Sequence, residues 1–315
     1  MTSVLDAALE KSHLVPVDQK WVTKRVGRFP LAWQPTVESE YVHIWEKAGF
    51  SDANVRLREL SDQMLLPNTG LMVSSDRKVV EGYAEVISKR LEMEFTDFKK
   101  RTGDLIFSVN CVKDEVVKRG LTFPLDLEKE YTKEQLIAAL ARVFDPHWWR
   151  RKIAVIQGRK LEQIARDLKL VCRHKQVYCS NQTVSNRKGQ LSRNKRMLEG
   201  LEVVSDTDDV LSLIDCVEAS VANPENRRAE LMARMRGFED VANHLGHQGI
   251  FFTLTAPSKF HAIHSKGYQN KKHQGGDPRE VQQYLCRVWS EVRAAWDRDG
   301  IKTYGFRVVE PHHDG

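Results

Sequence analysis

The chain has no apolar run of about eighteen residues, so nothing in it reads as a membrane-spanning helix. Its opening, Met1-Thr2-Ser3-Val4-Leu5-Asp6, has neither a basic stretch nor an apolar one behind it, and no secretory signal is expected. Cysteine is scarce and scattered. Cys111, Cys172, Cys179, Cys216 and Cys286 are odd in number and read as reduced thiols of a cytoplasmic protein, not as a disulfide frame. Cys172 and Cys179 bracket His174, but the spacing fits no usual zinc pattern. Glycine-rich phosphate loops are missing: neither GxGxxG nor GxxxxGK followed by Ser or Thr occurs, which argues against the standard dinucleotide-binding fold and the P-loop motors. GxSxG and HExxH are absent too. No internal repeat or long low-complexity segment is visible.

What is present is charge and helical periodicity. The 315 residues are 29% charged and 41% hydrophobic, enough for an ordinary core and about two domains. The net charge of +6 permits an anionic partner. Residues 1–245 read as mainly helical. Tyr41, Ile44, Trp45 and Ala48 fall on one helical face, and Val79, Val80, Tyr83, Val86, Ile87 and Leu91 on another behind a cap at Asp76. Thr132 and Gln135 have capping-box spacing before Leu136, Ile137, Leu140 and Val143. Asp145-Pro146 and Asn223-Pro224 each place a capping side chain before a proline at the first helical position.

Charge is unevenly spread. Arg150 to Arg196 holds fourteen Lys or Arg against two acids, Glu162 and Asp167. Such asymmetry suits a phosphate-binding surface, and Arg150, Arg151, Lys152, Arg187, Lys188, Arg193, Lys195 and Arg196 are its candidate contacts. The alternative is a solvated face neutralised by the segment that follows. There Glu199, Glu202, Asp206, Asp208, Asp209, Asp215 and Glu218 occur with no Lys or Arg between Arg196 and Arg227. Val210, Leu211, Leu213, Ile214, Val217 and Val221 give that acidic stretch helical spacing as well. Trp148 and Trp149 could stack on bases, but their large apolar area favours the core.

A boundary is expected near Gly246, where the hydrophobic period changes. Ile250 to Thr255 reads as a buried strand, and Ile301 to Val309 as a second with Tyr304, Phe306 and Val308 on one face. Ser265 to Asp277 is polar and glycine-rich, a mobile loop. Asp277-Pro278-Arg279-Glu280 starts a helix with Leu285, Val288, Trp289, Val292 and Trp296 on one side, closed by Gly300; Cys286 there is expected to be buried. Lys259, Lys266, Lys271 and Lys272 near the first strand either meet a DNA backbone or belong to an ordinary lysine-rich loop. The fold class expected is a mainly α region, 1–245, followed by an incomplete α+β domain with an antiparallel sheet, 246–315.

Three segments together carry a resemblance. They are Phe251-Phe252-Thr253-Leu254-Thr255-Ala256-Pro257-Ser258-Lys259, Tyr284-Leu285-Cys286-Arg287-Val288-Trp289, and Gly305-Phe306-Arg307-Val308-Val309-Glu310-Pro311-His312-His313-Asp314-Gly315. With Asn226-Arg227-Arg228-Ala229-Glu230-Leu231-Met232 and Asp145-Pro146-His147-Trp148-Trp149, they resemble the bacteriophage replication gene A protein family. These are rolling-circle replication initiators of the HUH endonuclease superfamily. The resemblance implies origin DNA, as a single strand, as partner, and the host replication helicase as a further candidate. It implies nicking by a tyrosine that becomes 5′-phosphotyrosine, which conserves the bond energy for rejoining. A divalent metal, Mg or Mn, held by a His-hydrophobe-His pair would polarise the phosphate.

Neither that pair nor the family's Tyr-xxx-Tyr occurs in this chain, and no catalytic residue is assigned. His312 and His313 are adjacent and point to opposite faces of a strand, so they cannot ligate one ion together. The expectation is a chain that ends short of its family's chemistry and binds no metal itself. A non-catalytic DNA-binding module and a decayed prophage remnant are the alternatives.

Overall fold

The computed structural model describes residues 16–172, 175–206, 210–261, 270–274 and 278–309. Arg173, His174, Asp208, Asp209, Lys266, the cap at Asp277 and the ending with His312 and His313 lie outside the described residues. Contacts divide the chain into two units, Met1–Leu170 and Val171–Gly315, a division earlier in the chain than the change of period near Gly246. The division falls just past Lys169, whose φ of 54° turns the backbone out of the preceding helix.

Among its described residues the first unit is built of helices joined by turns and loops, with an isolated bridge between Leu65 and Met72. Helices α1 (Pro16–Val26), α2 (Gln34–Ala48) and α3 (Phe50–Gln63) pack first. A 3-10 turn at Leu31–Trp33 drives Trp33 into the core. Helices α4 (Arg77–Thr102), α5 (Leu105–Lys118), α6 (Lys133–Val143) and α7 (Pro146–Asp167) follow. Starts are fixed by side chains that satisfy the free N–H groups of the first turn. Asp76 accepts from Val79, Asp104 from Phe107 and Asp145 from His147. Thr132 and Gln135 close a reciprocal capping box, as their spacing predicts. The core runs through Val22, Val37, Leu57, Leu60, Met64, Leu91, Val112, Val116, Val143, Trp149 and Ile164. The apolar stripe of α4 is narrower than its sequence suggests: Val80, Ile87 and Leu91 are buried, whereas Val79 and Val86 face solvent. Each lies one residue before a buried position, about 100° round the helix.

One charged network braces this unit. The Arg119 side chain is 7% exposed, donates to the Tyr83 hydroxyl (2.8 Å), and meets Glu115 at 2.7 Å. Arg90 and Lys118 also reach Glu115, each at 2.9 Å. Hydrogen bonds from Lys118 and Arg119 hold the Glu115 carboxyl down to about 2. A folded-state value below the unfolded one, about 4.3, gives stability that is present above pH 5 and is lost as pH falls toward 2. Glu115→Gln is therefore expected to flatten the acid limb of stability against pH measured by urea melts. An unchanged limb would refute this.

The second unit holds α8 (Asn181–Glu199), an antiparallel pair β1 (Glu202–Val204) and β2 (Val210–Ser212), then α9 (Leu213–Ala219), α10 (Pro224–Leu245) and α11 (Pro278–Arg298). Val203 pairs with Leu211, and Glu202 with Ser212. The helical spacing read over Val210 and Leu211 is thus corrected: the helix begins only at Leu213. β-Branched Val203, Val204 and Val210 prefer the pleated ladder, and a short apolar run fits either period. Asn223 caps α10 through Glu225 N–H, Gly246 (φ 67°) ends it, and Gly300 (φ 73°) closes α11.

Ile250–Thr255 and Ile301–Val309 do not form strands. A strand exists through its ladder partner, and among the described residues neither segment has one. Each leans on a helix instead. Phe252 lies between Trp289 and Trp296 of α11, and Tyr304 and Phe306 meet Phe238 of α10. Val308, expected on the same face, is exposed, and Cys286 is half-buried. The overall class holds: mainly α, with a small antiparallel sheet in the second unit.

Candidate nucleic-acid interface

The basic residues singled out by sequence do not share one fate. In α7, Arg150 turns inward to Glu81, Nη1 to Oε1 at 3.0 Å, beside Arg77 at 2.7 Å. Hydrogen bonds from Arg77 and Arg150 hold the Glu81 carboxyl below the ordinary range. Arg150 therefore carries little net charge to the surface and serves to tie α7 to α4. Arg151 and Lys152 are exposed, and the Lys152 ammonium sits 5.8 Å from the Trp148 ring centroid. Trp148 and Trp149 are core residues, crossing edge to face at 5.2 Å. Lys160 is half-buried, its ammonium donating to the Leu65 carbonyl at 3.3 Å; burial pushes its pKa down.

Helix α8 is different. Its start is fixed by Ser180, whose hydroxyl accepts from Thr183 N–H. None of its residues is buried. Arg187, Lys188, Arg193, Lys195 and Arg196 are all exposed, and among the described residues none forms an ion pair. Arg187 donates to the neutral Gln190, at 2.8 Å. The acidic stretch after α8 is the alternative partner, and its described carboxylates do not take up these cations. In the first unit, by contrast, several cations are neutralised: Arg25 and Arg28 by Asp62, Arg56 by Glu40, Arg90 by Glu94. Placed at 100° per residue, the five α8 cations occupy most of the helix circumference. With no buried residue the helix is not held by a core face, and it presents these cations to solvent.

Lys259 stands on the 3-10 turn Ser258–Phe260, in a loop held by the side chain of Asn270. Its ammonium lies 5.1 Å from the Phe260 ring centroid and 5.4 Å from that of Tyr284. The Arg287 guanidinium is 5.4 Å from the same Tyr284 ring. Sequence reasoning missed Phe260, Tyr284 and Arg287 as neighbours of Lys259. The usable signal was the three-residue spacing of Tyr284 and Arg287, which puts both on one helical face.

The family model described as Bacteriophage replication gene A protein matches residues 74–315. The chain belongs to this family. Replication gene A protein of Escherichia phage 186 is 39% identical over 188 residues, 60% of this chain and 27% of that protein. Replication protein of Haemophilus phage HP1 is 37% identical over 193 residues, 61% of this chain and 24% of the relative. A probable replication endonuclease from a prophage-like region of Salmonella paratyphi A is 34% identical over 182 residues, 58% of this chain and 23% of the relative. The aligned stretch thus spans about a quarter of these gene A family relatives. No solved structure matches the chain. The family match takes in α8, Lys259 and α11 together.

A divalent metal was implied by the gene A resemblance. Among the described residues no three His, Cys, Asp or Glu side chains converge to hold one. No described helix is long and apolar enough to cross a membrane.

Proposed function

We propose that this chain is a DNA-binding portion of a phage or prophage replication initiator, gripping origin DNA through α8. The single observation that carries this reading is the cluster of exposed cations on α8 that form no ion pair among the described residues, inside the stretch matched by the replication family. Cations held away from carboxylates keep their full charge for phosphates, and neutralising phosphates releases condensed counterions. Arg151 and Lys152 are further candidate contacts on the same ground, and Lys259 stands in a separate loop as a DNA-binding candidate of its own, whereas Arg150 is already committed to Glu81. Membership of the family supports replication initiation as the setting. Site-specific nicking through a tyrosine belongs to the proposal for the wider family, because neither the paired histidines nor the paired tyrosines it requires occur in this chain.

Two measurements on the purified 315-residue chain test this together. Duplex DNA carrying the origin should bind with an affinity that falls steeply with salt, and a supercoiled plasmid with Mg or Mn should stay supercoiled. Absence of binding at low salt would sink the DNA-binding reading. Origin-specific relaxation would show that the chain holds a nicking site elsewhere.

A further inference from the structure

The loop around Lys259 is built more carefully than a surface lysine loop needs. Asn270 is 4% exposed and is used entirely as a clasp. Its Nδ2 group donates to Ser258 O (2.6 Å), Ser258 Oγ (3.1 Å) and His261 O (2.8 Å), while its Oδ1 accepts from Lys272 N–H (3.0 Å). Gln274 N–H adds a bond to the carbonyl of Lys259 itself, at 3.1 Å. His261 Nε2 lies 3.1 Å from Ala256 O, closing the other side. A buried amide with its donors and acceptor satisfied fixes backbone, because any shift would leave polar groups unpaired. Lys259 is thus presented from a fixed turn.

What it is presented against matters equally. Phe260 and Tyr284 form a tilted pair with centroids 5.2 Å apart, both half-buried. Lys259 and Arg287 each sit within 5.4 Å of the Tyr284 centroid. Aromatic rings steady cations without cancelling their charge, unlike carboxylates. Arg287 has Glu291 at 3.8 Å, with both side chains largely in solvent, so that pair is weak. Exposed Lys271 and Lys272 add charge on the clasped segment. Two cations held near one ring, beside a second ring, suit a phosphate with an unstacked base next to it. A duplex hides its bases from such a pair, whereas a single strand can splay one onto it.

We propose that Lys259 and Arg287, steadied on Phe260 and Tyr284, form a single-strand DNA site: the cations take a backbone phosphate and the ring pair takes the adjacent base. This rests on the DNA-binding reading above and adds a site that prefers unpaired DNA, separate in sequence from the α8 cations.

The test compares a fluorescent oligothymidylate with a duplex of equal length, using the full chain. Lys259→Gln with Arg287→Gln should weaken single-strand binding about ten-fold and lower its salt slope by about 0.7, for the one phosphate the pair holds. Tyr284→Leu keeps the charge; it should weaken single-strand binding about ten-fold with the salt slope unchanged. Duplex binding should stay within about two-fold in both cases, because α8 is untouched. Matching thermal melts guard against a folding loss, and Lys259→Gln alone, on an exposed side chain, guards again. Equal losses on both DNA forms would overturn the proposal, as would no loss on the single strand. Competition by inorganic phosphate or by polyglutamate as effective as by unlabelled oligothymidylate would also overturn it, pointing to a free-anion pocket or an acidic peptide. If duplex binding is missing from the start yet the oligothymidylate responses hold, the α8 reading falls and this site stands.

Discussion

Neutralising Arg187, Lys188, Arg193 and Lys195 together, each to Gln, is expected to reduce duplex DNA affinity by about a thousand-fold at physiological salt. The estimate follows from counterion release. Each phosphate contact releases ~0.9 of a counterion, so at about 0.15 M salt each is worth roughly 0.7 of a decade, and four such contacts approach three decades. The slope of log affinity against log salt should fall by about 3.6 for the same reason. Stability should barely move. No α8 residue is buried, and surface substitutions away from packed features usually change stability by less than about 0.5 kcal/mol. That separation is what gives the experiment its force: a large binding loss with an unchanged melt isolates the phosphate contacts. Arg150→Gln is the matched contrast. It removes a cation from the same basic stretch, but one already paired with Glu81. It should cost stability through the tie between α7 and α4, with little change in the salt slope. If Arg150→Gln and the α8 variant lower the slope equally per charge, the distinction between paired and unpaired cations is wrong.

That contrast also shows what was legible in the sequence. The basic stretch from Arg150 to Arg196 could be counted from letters, yet its two ends behave differently. Glu81, which neutralises Arg150, lies 69 residues earlier, and no local pattern announces that partnership. Local rules did well where the physics is local. The caps at Asp76, Thr132, Asp145 and Asn223 act within three residues, and all of them form. Trp148 and Trp149 were assigned to the core by apolar area, and the core is where they are. Sheet formation failed because it is non-local. Phe251 and Val308 have strand-forming sequence around them, but a ladder needs a second chain segment, and among the described residues none is in place. The Asn270 clasp was illegible for the same reason: an asparagine in a polar loop looks like turn chemistry until its three acceptors are seen nine to twelve residues back.

Trp149→Ala is expected to be the most destabilising single change in the first unit, at about 5 kcal/mol. Two costs add. The side chain is fully buried, and removing a large aromatic from a core costs roughly 3–5 kcal/mol through lost transfer energy and the cavity left behind. The indole Nε1 also donates to the carbonyl of Val143 at 2.7 Å. Val143 is the last residue of α6, and a terminal helix carbonyl has no partner within its own helix. The indole thus caps α6 from the first turn of α7 and fixes the sharp Phe144-Asp145 corner between them. Losing that donor inside the core adds about 1–3 kcal/mol. Trp149→Phe separates the terms: it retains most of the apolar volume and should cost about 2 kcal/mol, chiefly the orphaned carbonyl. Urea melts followed by helical circular dichroism provide the readout. For a unit of this size the Ala variant should also lower the Tm by roughly 10–20 °C, at about 2–4 °C per kcal/mol. A loss below about 2 kcal/mol for Trp149→Ala would mean that the corner is held by other contacts. Equal losses for Phe and Ala would mean that the hydrogen bond, not the packing, carries the position.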